Sequence, residues 1–202
     1  MKNNKSVANW LFKPFTYIAG GKALIIGLVV MALISVLGYL SGTHFDGVLD
    51  IHTGCFGESA PYWKHALFQA STWLILATVF YITARIVTKS ETRLIDIAGT
   101  MALSQAPLLF AALLGLIPSL HICLGNMDAL TIEETMGILK DNMGTLIITS
   151  VVYIIFTIWS VILKYNAYSV SANVKGVIGI STFIAALLVA EIISKIFLYI
   201  VL

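Results

Sequence analysis

Charged residues are scarce in this 202-residue chain: they make up 11% of it, against about 25% in soluble domains. Apolar residues make up 59%, and the mean hydropathy is +0.95. No soluble core of this length needs so much apolar surface, so the scarcity of charge excludes a water-soluble domain and indicates that lipid is the solvent. The net charge of +2 is too small to indicate binding to nucleic acid.

Familiar catalytic motifs are also missing. The sequence contains no HExxH metal-binding helix, no GxSxG nucleophile turn and no GxxxxGK[ST] phosphate loop. We therefore favour a protein that is not an enzyme, and we expect no cofactor. No A-x-A cleavage site follows the first apolar run, which also exceeds the roughly 7–15 residues of a signal peptide. We interpret that run as a retained membrane span.

Five apolar runs are each long enough to cross a bilayer, which takes roughly 17–25 residues. They are Ala23–Leu40, Ala66–Ala84, Ile97–Leu120, Thr145–Leu163 and Val177–Leu202. Because the runs are continuous rather than alternating, helices are predicted instead of a barrel. The sequence thus predicts an all-α, polytopic membrane bundle of five transmembrane helices, with residues 1–202 as one domain and residues 1–22 as a cytoplasmic or interfacial segment. A short extra helix is expected near Thr131–Lys140, where Thr131 and Glu134 have capping-box spacing.

Basic residues predict the orientation of the chain. The segment before the first span and the loops after the second and fourth spans hold nine Lys and Arg residues, whereas the other two loops hold one each. The nine are Lys2, Lys5, Lys13, Lys22, Arg85, Lys89, Arg93, Lys164 and Lys175. Since cytoplasmic loops carry the basic excess, we expect a cytoplasmic N-terminus and an outside C-terminus. The expected location is the inner (cytoplasmic) membrane of a prokaryote.

The third span begins with an unusually polar stretch, "DIAGTMALSQAP", from Asp96 to Pro107. Asp96 is expected to accept hydrogen bonds from backbone N–H groups at the start of the helix, and to face Arg93. Pro107 removes one backbone hydrogen bond, so a neighbouring group must satisfy the freed carbonyl.

Small residues in the same stretch have the spacing of a helix contact. They are Ala98, Ala102 and Ala106, with Gly99 alongside. Such spacing lets a second helix approach closely, and Thr100, Ser104 and Gln105 can hydrogen-bond across the contact. Two interpretations stay open, namely a packing face inside the bundle and a polar groove that opens toward the cytoplasm.

A family resemblance rests on this stretch. Asp96, Gly99, Thr100 and Pro107 form a "Dxx(G)(T/P)…P" pattern that resembles the Yip family of Ypt/Rab-interacting membrane proteins. The segment "LFKPFTYI" resembles the Pro-containing stretch before the first span of prokaryotic members. The likeness covers nearly the whole chain and implies a polytopic α-helical membrane domain. For eukaryotic relatives with long cytosolic N-termini it also implies trafficking roles or GTPase binding.

The last span carries two charges. Glu191 and Lys195 are four residues apart with the acid first, the favourable order for an ion pair along a helix. Charges inside a membrane are costly and usually face the bundle interior. We weigh three interpretations: a neutralised structural pair, an ion- or proton-handling site, and contact with lipid headgroups, which Lys195 can reach by snorkelling.

All histidines and cysteines fall in segments assigned to the outside. They are His44, His52, His65, His121, Cys55 and Cys123. On an oxidising face a Cys55–Cys123 disulfide would tie the first outer loop to the third span. The imidazoles also suit zinc or copper, although the spacings H-x7-H-x2-C and H-x-C are not diagnostic of a metal site.

Three functions remain in competition. The leading one is a non-enzymatic protein that organises membranes or binds membrane partners or lipids, with the bilayer, other membrane proteins or a second copy as partners and no nucleic acid. The alternative is a transporter of a small solute or ion that uses Asp96, Gln105, Glu191 and Lys195 as its polar pathway. A membrane hydrolase with a metal on the outer face comes third.

Overall fold

The computed structural model describes residues 7–56, 60–88, 91–122 and 131–201. In chain order the helices are α1 (Val7–Phe12), α2 (Gly20–Ser41), α3 (Tyr62–Val87), α4 (Leu94–Leu103), α5 (Ala106–Leu114), α6 (Ile132–Asp141), α7 (Met143–Ser171) and α8 (Gly176–Val201). Five segments are long and apolar enough to cross a membrane, with α4 and α5 together forming the third. The predicted all-α bundle of five spans is confirmed, whereas the orientation of its ends stays a prediction.

The third span lies at the centre of the bundle. Of its most apolar 18 residues 61% are buried, against 22–33% in the other four spans. α4 packs against α2, α3 and α7, while α5 packs against α2 and α7. The polar stretch therefore does lie inside the bundle, because its small residues let three neighbours surround it.

Glycines set the closest helix contact, between α2 and α4. A Cβ added to Gly27 would stand 2.6 Å from Ala102 Cβ and 2.6 Å from the backbone nitrogen of Leu103. A Cβ on Gly99 would stand 2.5 Å from the carbonyl oxygen of Gly20. The backbones can lie this close only because neither glycine has a side chain. The predicted small-residue contact is confirmed, and it is centred on Gly99 and Ala102.

The third span is broken between α4 and α5. Gln105 donates its backbone N–H to Ala102 in a tight turn, and Leu108 N–H bonds Gln105 rather than Ser104. Pro107 lies in the first turn of α5, where a proline costs least. The carbonyl of Ser104, left without its usual helical donor, accepts from the hydroxyl of Ser160 at 3.3 Å. A neighbouring helix thus supplies a donor at the helix break, although the carbonyl that Pro107 itself leaves free is that of Leu103, four residues earlier, so the expected replacement bond for the proline stays a prediction.

Several predicted boundaries need correction. The third span was predicted to reach Leu120 but its helix ends at Leu114, because Gly115 begins a turn and Pro118 starts a separate 3-10 turn, Pro118–Leu120. α7 continues to Ser171 instead of ending at Leu163. The end of the last predicted span, Leu202, lies outside the described residues.

Lys164 is the main correction to the charge count. It was assigned to an inner loop, but it lies within α7 with 1% of its surface exposed. Without Lys164 the inner segments hold eight basic residues instead of nine. They still hold far more than the outer loops, which hold one each.

The short helix α6 begins as predicted. Thr131 Oγ1 accepts from the backbone N–H of Glu134 at 3.2 Å, and the Glu134 carboxylate accepts from the backbone N–H of Thr131 at 2.8 Å. The capping box is confirmed.

Candidate functional site

The loop between α2 and α3 folds back onto the bundle. Its Val48 is 3% exposed and belongs to the main hydrophobic core, and Gly47 has φ +137°, which a side chain would strain. Residues on α8 hold this turn in place. Glu191 Oε2 accepts backbone N–H groups from Val48 at 2.8 Å and from Leu49 at 3.1 Å.

The two charges of α8 therefore bind the loop rather than each other. Lys195 Nζ forms a salt bridge with Asp50, and among the described residues no ion pair joins it to Glu191. The interpretation of Glu191 and Lys195 as a pair within one helix is wrong. Each charge has its own partner in the loop, more than 140 residues away in the chain. Backbone N–H groups bind the Glu191 carboxylate, and the Asp50 carboxylate binds Lys195.

A two-stranded ladder brings two histidines together. β1 (Thr43–His44) pairs with β2 (His52–Thr53) in antiparallel register, with His44 opposite His52. Their rings stack with centroids 5.2 Å apart. The ring of His65 also stacks on that of His44, with centroids 4.9 Å apart. Cross-strand neighbours are close on the face of a ladder, which explains how an H-x7-H spacing produces a contact.

Two carboxylates surround His52. Asp46 Oδ2 lies 3.5 Å from its Nε2, and Asp50 Oδ1 lies 3.7 Å from its Nδ1. We call His44, Asp46 and His52 the histidine cluster, since one donor atom from each lies within 4.8 Å of the others. Sequence reasoning named both histidines but missed Asp46 and Asp50, which it treated as ordinary loop acids.

The carboxylates affect the two histidines differently. The Asp50 carboxylate beside its ring raises the pKa of His52, with Asp46 adding to the effect. Burial lowers the pKa of His44, which Asp46 only partly opposes. The His52 imidazole and then the Lys195 ammonium beside Asp50 hold the pKa of that carboxyl well below its usual range. His52 thus keeps a proton to higher pH than His44 does.

A pocket of about 490 Å³ begins beside this loop. Asp50 and His52 are among its polar lining residues, and Leu146, Ile154 and Ile158 contribute to its apolar lining. Ile154 and Ile158 are more than half exposed on the bundle surface. The pocket therefore joins a polar loop to a surface that lies against hydrocarbon.

A separate group of polar side chains is buried in the middle of the bundle. Gln69 Nε2 donates to Gln105 Oε1 at 2.5 Å, and Lys164 Nζ donates to Ser160 Oγ at 2.5 Å. Ser160 in turn bonds the helix break at Ser104. We call these five residues the polar core. Sequence reasoning found Ser104 and Gln105 and missed the other three. Gln69 could have been found, because a glutamine inside an apolar run usually faces the bundle interior.

The remaining residues of the predicted polar pathway lie elsewhere. Asp96 Oδ2 is 3.8 Å from Arg93 Nε, as expected, but within the described chain its side chain forms no capping hydrogen bond. Thr100 Oγ1 donates to the carbonyl of Asp96 at 2.7 Å and lies 3.0 Å from Ser171 Oγ. The structure does not bring Asp96 to Gln105 or to Glu191 in a single hydrogen-bonded group of described residues.

The other predicted outer residues fall into two groups. His121 bonds two carbonyl oxygens, that of Gly54 at 3.0 Å and that of Gly115 at 2.6 Å, and it is not part of the histidine cluster. Cys55 is disulfide-bonded. Cys123 lies outside the described residues, so the Cys55–Cys123 bridge stays a prediction.

Comparison with known proteins does not identify a family or a function for this chain. No protein-family model, curated protein or solved structure matches this chain.

Proposed function

We propose that this protein is a non-enzymatic integral membrane protein that binds an amphiphilic lipid at the pocket beside the α2–α3 loop. The observation that carries the proposal is the composition of that pocket. Its loop residues Asp50 and His52 offer charge and hydrogen bonds, and the isoleucines of α7 offer apolar surface. A volume of about 490 Å³ is in the range of roughly 300–1,000 Å³ typical of small-molecule sites.

The resemblance to prokaryotic Yip proteins forms part of this proposal. Five spans and a polar third span are compatible with that resemblance. A Yip-like role is one of organising the membrane or binding partners there, and a lipid held between the loop and α7 provides a physical basis for such a role.

The lipid proposal is tested with two neighbouring substitutions on α7. Ile154 lines the pocket and Ile155 does not, yet each is 56% exposed. Ile154→Trp places an indole in the pocket, while Ile155→Trp places it elsewhere on the lipid-facing surface. The purified variants are exposed to vesicles of phosphatidylethanolamine and phosphatidylglycerol, and retained lipids are counted by native mass spectrometry. We expect one fewer retained lipid for Ile154→Trp only. Equal retention in both variants would refute the proposal.

A second candidate function is proton-coupled transport, which the polar core favours. Lys164 is almost fully buried among membrane-spanning helices, and such residues often mark ion or proton pathways. In proteoliposomes containing a pH-sensitive dye, transport predicts a protein-dependent proton flux that Lys164→Met abolishes. A flux that is absent, or is the same in both proteins, would exclude this candidate while leaving lipid binding intact.

A further inference from the structure

The histidine cluster has the donor set of a metal site, a property that goes beyond lipid binding. Two imidazoles and one carboxylate face one another across a hydrogen-bonded strand pair. The ladder fixes the backbone positions of His44 and His52, and Asp46 lies two residues after His44 in the same loop. The sequence spacing alone was not diagnostic, because it is the pairing of β1 with β2 that brings the donors together.

The distances suit a small divalent ion after a modest contraction. Donors bound at about 2.0–2.2 Å around a tetrahedral ion are about 3.4 Å apart. His52 Nε2 and Asp46 Oδ2 are already 3.5 Å apart, and all three donors lie within 4.8 Å. The side chain of His52 is 50% exposed, so it has room to rotate by the remaining distance.

An independent observation comes from the second oxygen of Asp46. Its Oδ1 is buried and accepts no hydrogen bond from the part of the chain that the structure describes. A buried carboxylate oxygen without a donor is costly, and a bound cation relieves that cost. This oxygen belongs to the same carboxylate that already contacts His52.

The surroundings of the cluster also match those of a metal ligand set. Metal-binding histidines usually donate their second ring nitrogen to a carboxylate, which fixes the ring. Asp50 lies 3.7 Å from His52 Nδ1, on the opposite side of the ring from Asp46, and is itself held by Lys195. The stacked ring of His65 supports the plane of His44.

We propose that His44, Asp46 and His52 bind a divalent transition metal of the zinc class. Imidazole nitrogen favours such ions over Mg²⁺ and Ca²⁺, which prefer all-oxygen ligands. Three protein ligands leave a coordination position open to water or to an anionic group. Asp50 is a positioning residue that acts through His52.

The experiment uses the full chain, purified with a tag free of histidine and stripped of metal with a chelator. Zn²⁺ is titrated by calorimetry, and Co²⁺ serves as a coloured probe of coordination. We expect one metal per chain, with affinity lowered about tenfold or more by His44→Gln or Asp46→Asn and about 10- to 100-fold by Asp50→Asn. His121→Gln and Asp141→Asn are matched controls outside the cluster and are expected to leave the affinity unchanged.

A second measurement needs no substitution and covers the case of a variant that does not fold. Diethyl pyrocarbonate modifies accessible histidines in the unaltered protein, and mass spectrometry locates each modification. Zn²⁺ is expected to protect His44 and His52 while leaving the modification of His121 unchanged. The proposal is overturned if neither Zn²⁺ nor Co²⁺ binds, or if metal protects all histidines alike. Lipid retention in the Ile154→Trp experiment does not depend on either result.

Discussion

Replacing Glu191 with leucine tests whether α8 holds the α2–α3 loop in place. The carboxylate accepts two backbone N–H groups of the loop, from Val48 at 2.8 Å and Leu49 at 3.1 Å. Gly47 lies against the same carboxylate, since a Cβ added there would stand 3.2 Å from Glu191 Oε2. Leucine fills part of the same space but offers no acceptor, so both N–H groups lose their partner.

The expected cost follows from the two orphaned donors. Each costs about 1–3 kcal/mol, so Glu191→Leu should lower the free energy of unfolding by about 2–6 kcal/mol. The salt bridge of Lys195 with Asp50 joins side chains that are 42% and 40% exposed. Solvent screening reduces such a pair to about 0–1 kcal/mol, so Lys195→Met should cost several times less.

Thermal unfolding in detergent, followed by circular dichroism, measures the difference. For a chain of this length 1 kcal/mol corresponds to about 2–4 °C, so Glu191→Leu should lower the Tm by about 4–24 °C. Glu191→Gln is the control, because its amide oxygen still accepts both hydrogen bonds. Hydrogen exchange should show faster exchange at Val48 and Leu49 in the leucine variant alone. The reasoning is refuted if leucine leaves the Tm and these amides unchanged, or if Lys195→Met costs more.

Four further outcomes are expected. Gly27→Ala should cost about 1–3 kcal/mol, because its Cβ meets the backbone of the facing helix, whereas Gly144→Ala, with nothing within 4 Å, should not destabilise; chemical denaturation compares them. Lys164→Met should leave the Tm equal or higher, since it removes a buried charge, and a large drop would contradict this. The backbone hydrogen bond from Thr131 lowers the pKa of Glu134, so its contribution to α6 is complete above about pH 4.5 and is lost as the pH falls through the lowered pKa; hydrogen exchange across α6 should show this loss in the native protein and not in Glu134→Gln. Cys55 should react with an alkylating agent only after reduction, as read from the mass shift, and reaction without reductant would show a free thiol.

Local sequence rules predicted the features that depend on local physics. The five spans follow from apolar length, because backbone groups in hydrocarbon must be satisfied within a helix. The capping box of Thr131 and Glu134 depends on atoms three residues apart and was correct in detail. Close packing at Gly99 was also predictable, since small side chains at helical spacing allow a second helix to approach closely.

Features that depend on distant residues were not predictable in the same way. The pairing of Glu191 with Lys195 was inferred from neighbours one turn apart, but their partners lie 143 and 145 residues away. Lys164 was assigned to a loop because the apolar run ends at Leu163, yet the helix continues for eight residues beyond that point. Hydropathy locates lipid-facing surface, and it cannot distinguish a charge at the end of a helix from one buried against a neighbouring helix.

The two charges of α8 have a structural consequence for the α2–α3 loop. Glu191 accepts the backbone N–H groups of Val48 and Leu49, and Lys195 forms a salt bridge with Asp50. These contacts lower the cost of two charges in the last span, but apolar residues at positions 191 and 195 would cross the bilayer at no such cost. What apolar residues cannot do is fix the backbone of the α2–α3 loop, which requires an acceptor at Val48 and a cation at Asp50. Because the histidine cluster belongs to that loop, the two charges of α8 help to determine the geometry of the proposed metal site.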